Sequence, residues 1–114
     1  MAECLFCNII EGKVPSDKVF ENEWVYAFRD ISPVAPQHIL IIPKQHIASV
    51  NEITTENSAM VAKVYEAAKE IVQMLGITED GYRIVTNCGE KAGQTVFHLH
   101  FHLIAGRELQ WPPG

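Results

Sequence analysis

The chain has no long hydrophobic run. A bilayer span needs about 20 apolar residues, and the strongest apolar stretch, Ile39-Leu40-Ile41-Ile42, stops at Pro43. No membrane association is expected. Positive charge is scarce as well: nine Lys+Arg stand against fourteen Asp+Glu, a net charge of −5. Proteins that hold nucleic acid through its phosphates are normally basic, so no nucleic-acid partner is expected. An anionic small substrate would have to be met by local donors. Cysteine is sparse and odd in number, three in 114 residues. That argues against a disulfide framework and for a reducing, intracellular compartment. Met1-Ala2-Glu3-Cys4 lacks the basic and apolar regions of a secretory leader, so the expected location is cytoplasmic. Linkers, charge blocks and internal repeats are missing too. Residues 1–114 are therefore read as one domain with a short tail over 107–114.

What remains is an ordinary globular balance, 47% hydrophobic and 20% charged, enough to bury a modest core. Leu5 to Glu11 reads as a short helix with Gly12 past its end. Val14-Pro15-Ser16-Asp17 is a turn, Val19-Phe20 opens an extended segment, Glu21-Asn22-Glu23 is a hairpin loop, and Trp24 to Arg29 a strand. Two prolines keep Ser32-Pro33-Val34-Ala35-Pro36 out of helices and sheet interiors. The β-branched run Gln37 to Ile42 predicts a buried strand ended by Pro43, with one helical turn over His46 to Val50. Thr54 or Thr55 is placed to cap one long helix. Along it Met60, Val64, Ala67/Ala68, Ile71 and Leu75 form an apolar stripe, and Gly76 is its stop. Tyr82 to Thr86 reads as a strand, Asn87 to Gly93 as a polar loop, and Thr95 to Ile104 as the last strand. This order predicts an α+β fold, an antiparallel sheet of about five strands with one long helix on a face and a short N-terminal helix.

His98, His100 and His102 alternate with Leu99, Phe101 and Leu103. Strand side chains alternate faces, so the apolar residues are expected in the core and the imidazoles together on the opposite face. Thr, Lys or Glu would serve a merely solvated face, so three consecutive imidazoles point to chemistry. The outer pair would sit about 13 Å apart along a strand, too far for one ion with ligands at about 2.0–2.1 Å. Two chemistries remain. A neighbouring pair, such as His98 and His100, can share a catalytic metal with a further ligand. Alternatively a neutral imidazole acts as nucleophile while its neighbours set its tautomer and offset charge. Gly89-Glu90-Lys91-Ala92-Gly93-Gln94-Thr95-Val96 leads in through glycines and can aim backbone N–H groups and the Thr95 hydroxyl at an anion.

The segment Gly93 to Ile104 resembles the signature of the histidine-triad (HIT) family, His-φ-His-φ-His-φ-φ with φ apolar, and every position fits. The resemblance extends over Phe28-Arg29-Asp30-Ile31-Ser32-Pro33, His38 to Lys44, the Asn87 loop and the tail Trp111-Pro112-Pro113-Gly114. Within the family the chain is most similar to the nucleoside phosphoramidase (Hint) branch. That resemblance implies the HIT fold and hydrolysis of the P–N bond of purine nucleoside 5′-phosphoramidates through a nucleotidyl-histidine intermediate. It implies His100 as nucleophile, His102 on the α-phosphate, His38 orienting the catalytic imidazoles, and Asn87 and Thr95 on phosphate or leaving group. Phe28, Asp30 and Ile31 would line the nucleoside pocket, with Asp30 on the ribose. Gln94 and Val96, within the signature, join the nucleotide-binding set. Many branch members carry Ser at the place of Thr95. No metal is required for the chemistry, and a homodimer is implied, with the tail near the partner's active site. Dinucleoside polyphosphate hydrolysis and a nucleotide-sensing module with incidental hydrolysis are the competing readings.

Cys4-Leu5-Phe6-Cys7 is a C-x₂-C pair. It suits a tetrahedral zinc site that lacks two further ligands, and a redox pair or two small buried residues are the alternatives. Some HIT proteins with this pair bind zinc through both cysteines, the histidine after the Pro-Lys segment and the first triad histidine. By that resemblance the ligands of one structural Zn2+ are Cys4, Cys7, His46 and His98. Cys88 is read as an ordinary small residue, Lys44 and Arg107 as solvated charge, and Tyr65 and Tyr82 as packing.

Overall fold

The computed structural model describes residues 4–114. The leader comparison rests on residues 1–3, which lie outside the described residues. A short helix α1 (Leu5–Ile10) is followed by strands β1 (Lys18–Glu21), β2 (Val25–Arg29) and β3 (Gln37–Pro43). Then come the long helix α2 (Ala59–Met74), β4 (Tyr82–Val85) and β5 (Phe101–Ala105), with short 3₁₀ turns at Val50–Glu52 and Glu90–Ala92. The five strands form one antiparallel sheet in the order β1-β2-β3-β5-β4. This is the α+β architecture expected. Among the described residues no helix is long and apolar enough to cross a membrane.

Both helices stop as their glycines predict. Gly12 and Gly76 take φ of +80° and +70°. Past each, a backbone N–H reaches back to close the end: Lys13 to the Asn8 carbonyl at 2.9 Å and Ile77 to the Val72 carbonyl at 3.1 Å. The start of α2 differs from expectation. Ser58 is its N-cap residue, without a side-chain cap. Thr54 instead organises the preceding turn, accepting from the Ser58 N–H at 2.8 Å through its carbonyl and from the Glu56 N–H at 3.2 Å through its hydroxyl.

The two sheet faces carry two apolar clusters. Val25, Ala27, Ile39, Ile41, Leu99, Phe101 and Leu103 pack against Val64, Ala67, Ala68, Ile71 and Val72 of α2. Tyr26, Phe28, Leu40 and Ile42 face the other way and are covered by Phe6 and Ile9 of α1. β3 is thus buried on both sides, as its unbroken β-branched run requires. Each fully buried Val, Leu, Ile or Phe among them contributes about 1.5–3 kcal/mol by leaving water.

Several boundaries are revised. Asn22 accepts from the N–H groups of Trp24 and Val25 at 2.8 and 2.9 Å, so Trp24 belongs to the turn. No helical turn forms over His46 to Val50; the 3₁₀ turn begins at Val50, after Ser49. The last strand is half the expected length. β3 pairs with β5 only from Gln37↔Ala105 to Ile41↔Phe101. Beyond that β3 arrives at Pro43, which has no N–H for a ladder. Leu99 N–H turns instead to the Ile47 carbonyl at 2.6 Å. The alternation of sides survives the loss of the ladder: Leu99, Phe101 and Leu103 are in the α2 core.

Candidate active site

His38 in β3 and His102 in β5 lie on the α1 side of adjacent strands, as the pairs His38↔Ile104 and Leu40↔His102 show. His98 and His100 precede β5 and are buried, at 0% and 7% exposure. That side of the sheet is therefore not a solvated polar face, because α1 roofs it. Phe6 packs edge to face on His100, with centroids 5.1 Å apart, and also meets Phe28 and His98.

Backbone groups fix the proton on His38 and His100, and His38 passes the choice on to His102. The Val34 N–H donates to His38 Nδ1 at 3.1 Å, so His38 carries its proton on Nε2. That proton faces His102 Nδ1 at 2.9 Å and Asp30 Oδ2 at 3.4 Å. His102 then keeps its own proton on Nε2. Burial, reinforced by the neighbouring imidazoles of His100 and His38, holds His102 down at about 4, so it is neutral at pH 7. His100 is the opposite tautomer. Its Nδ1–H donates to the His98 carbonyl at 2.7 Å, which leaves the lone pair on Nε2. One imidazole thus offers a base nitrogen and its neighbour an N–H donor, from the same residue type.

His98 turns away from both. Its Nε2–H donates to the Pro43 carbonyl at 2.8 Å. Its Nδ1 stands 3.5 Å from Cys4 Sγ, 3.6 Å from Cys7 Sγ and 3.2 Å from His46 Nδ1, while Cys7 Sγ is 3.4 Å from His46 Nδ1. Ligands on a tetrahedron at about 2.0–2.1 Å for nitrogen and 2.3 Å for sulfur have edges of about 3.3–3.8 Å. The four donors therefore match a cage able to coordinate a metal ion. Burial, with the Cys4 thiol beside it, pushes the Cys7 thiol up to about 11, and burial brings His98 down to about 4. A cation would reverse the first effect by stabilising thiolate. Asp30, His38 and His102 also cluster, but the Val34 N–H leaves His38 Nε2 protonated, and a protonated nitrogen is no ligand. A metal shared by His98 and His100 is overturned, since the free His98 nitrogen faces the cysteines.

Next to this centre, Phe6, Ile9, Phe28, Leu40, Asp30 and Ile31 border an apolar cleft of about 200 Å³. Ile31 is 98% exposed at its rim, and Asp30 is held by the Ser32 N–H at 2.8 Å. Two wider grooves, of about 560 and 590 Å³, lie at the β4–tail junction and along the β1–β2 hairpin, away from every imidazole. Thr95 is exposed and Val96 half-buried, both on the loop before His98, and Asn87 is half-buried beside Gly93. Gln94 is buried at 2%, accepting from Gly89 N–H at 2.9 Å and donating to the Ala48 and Val96 carbonyls at 2.9 and 3.1 Å. Its amide is spent on shaping the loop, so the expected contact of Gln94 with a ligand is not available to its side chain. Sequence reasoning missed Phe6 and Val34. The signal for Phe6 was its place between two cysteines that converge on His98. Val34 acts through a main-chain N–H and left no signal. Arg107 is not simply solvated: its Nε donates to the Val34 carbonyl at 2.9 Å.

The HIT domain model matches residues 11–109. The chain is 48% identical over 112 residues to an uncharacterised HIT-like protein of Synechococcus elongatus, covering 98% of this chain and 97% of that one. It is 45% identical over 107 residues to the purine nucleoside phosphoramidase of Escherichia coli K12, covering 94% and 90%. Among solved structures, a HIT family hydrolase from Legionella pneumophila superposes with a TM-score of 0.95 at 47% identity, over 98% of this chain and all 100% of that one. One from Clostridium thermocellum gives 0.94 at 49%, over 96% of each. With the family model covering most of its length and the triad complete, the chain belongs to the HIT family and is an enzyme, a hydrolase.

Proposed function

We propose that the protein is a purine nucleoside phosphoramidase that cleaves the P–N bond of nucleoside 5′-phosphoramidates through a nucleotidyl intermediate on His100. The observation that carries this reading is the tautomer of His100: Nδ1–H on the His98 carbonyl, lone pair on Nε2. The relationship to the Escherichia coli enzyme supplies the substrate class. The Nε2 lone pair attacks phosphorus, the P–N bond breaks, and the amine departs with a proton from the surrounding water. As the ring becomes cationic its bond to the His98 carbonyl strengthens, which favours the transition state over the ground state. Water then displaces His100 and releases the nucleoside monophosphate. Splitting one displacement into two is what an imidazole nucleophile contributes.

His102 would donate its Nε2–H to the α-phosphate, and His38 holds it in that tautomer. Thr95 and Asn87, with the Val96 backbone, would meet phosphate or leaving group. Phe28 and Ile31 would flank the nucleoside and Asp30 would take the ribose hydroxyls. Cys4, Cys7, His46 and His98 would hold one structural Zn2+, which when bound supplies a rigid tether between α1 and the loop before β5. The donor set of two sulfurs and two imidazoles favours zinc among common divalent ions. The protein would act as a cytoplasmic homodimer; Trp111, 81% exposed in the single chain, suits burial against a partner.

Rapid quench with adenosine phosphoramidate tests the chemistry. An adenylyl group on His100 is expected by mass spectrometry within one turnover, and His100→Ala should lose about 10³-fold or more in kcat. Hydrolysis in a single inverting step with no enzyme-bound nucleotide would falsify it.

A further inference from the structure

His100 sits where the chain leaves the sheet. The β4–β5 pairing runs from Tyr82↔Ala105 to Val85↔His102 and ends there, and the β3–β5 pairing ends at Ile41↔Phe101. The His100 peptide lies beyond both ladders. Its carbonyl is met instead by a side chain: the hydroxyl of Thr86, the first residue past β4, donates to it at 2.8 Å. So the nucleophile's ring is tied on one side to the His98 carbonyl and its main chain on the other to Thr86.

We propose that Thr86 is a positioning residue for the reaction: its hydroxyl pins the His100 peptide and thereby holds the Nε2 lone pair in line with the phosphorus. The inference rests on His100 being the nucleophile. A shift of about 1 Å at a nucleophile costs about 10²-fold in rate, and no ladder partner of His100 stands in for the Thr86 hydrogen bond. The effect belongs to kcat rather than KM, since Thr86 touches the nucleophile's backbone and not the nucleoside cleft.

Thr86→Val keeps the shape and removes the donor, while Thr86→Ser keeps the donor. With the full chain, kcat for adenosine phosphoramidate is expected to fall about 10- to 100-fold in Thr86→Val, with KM within about twofold. Thr86→Ser should stay within about threefold of the parent. Thr86→Ala serves if the valine variant does not fold. Long-range ¹H–¹⁵N spectra of the histidine side chains give a readout independent of turnover. The His100 ring signals should broaden or shift in Thr86→Val, with those of His38 unchanged. Parent-like kcat in Thr86→Val, or an unchanged His100 spectrum, overturns the proposal. If the parent chain does not turn over the phosphoramidate, the substrate reading fails, and the spectra alone decide the role of Thr86.

Discussion

A carbonyl can only accept and an amide N–H can only donate, so a backbone group facing an imidazole decides which ring nitrogen keeps the proton. Val34 N–H does this for His38, and the His98 carbonyl does it for His100. His102 inherits its tautomer at second hand through His38. Three histidines thereby become a donor relay and a nucleophile. Unequal consequences of deletion follow. Removing His100 deletes the atom proposed to bond phosphorus. Removing His102 deletes a charge-offsetting donor, which is worth about 10²–10³ in kcat. His102→Ala should therefore still form the adenylyl-enzyme, slowly, while His100→Ala forms none. Single-turnover quench with intact-mass detection separates them, and equal loss of the intermediate in both would contradict the assignment of tautomers to roles.

At the scale of elements, α1 is only six residues long, too short to persist alone. Its apolar anchors are Phe6 and Ile9, with Ile10 half-buried beside them; a metal ion held by Cys4, Cys7, His46 and His98 would tie it to two separate loops. Loading zinc should raise the melting temperature, and chelation should lower it and loosen protection of the α1 amides in hydrogen exchange. Because the Cys7 thiol of the metal-free protein is pushed up to about 11, it is protonated at neutral pH and must release its proton to bind. Metal affinity is then expected to climb with pH, by up to about tenfold per unit for the Cys7 proton. Affinity independent of pH between 6 and 8 would contradict thiolate ligation. The sheet, α2 and both glycine stops were legible in the sequence because periodicity and φ > 0 are local properties. The length of β5 was not. Alternation continues through His98–Phe101, but Pro43 on the neighbouring strand removes the ladder, and strand pairing is a fact about two segments at once. The burial of the triad was illegible for a related reason: α1 reads as a separate short helix, and only tertiary contacts, Phe6 and Ile9 on the sheet and Cys4 and Cys7 beside His46 and His98, place it over the imidazoles.

The whole molecule carries a cost for keeping imidazoles neutral indoors. His102 is held at about 4 by burial first and by His100 and His38 next, against about 6.5 in an unfolded chain. Between those values the unfolded state binds the proton and the folded state does not. Unfolding is then favoured by acid across that window: stability is complete above about 6.5 and is lost as pH falls toward about 4. In metal-free protein His98, also held at about 4 by burial, adds to the same slope. Glu21 contributes at lower pH only, its carboxyl being lowered by hydrogen bonds from Lys44 and Lys18 at an exposed site. Urea titrations from pH 7.5 to 4 should show the free energy of unfolding falling steadily, and His102→Asn, which has no proton to gain, should flatten the slope. Metal should steepen it, because protons compete with it for His98 and the Cys7 thiol. A parent protein equally stable at pH 7 and pH 4.5 would mean that the imidazoles take up protons while folded, and the neutral relay from Val34 to His102 would then not exist in solution.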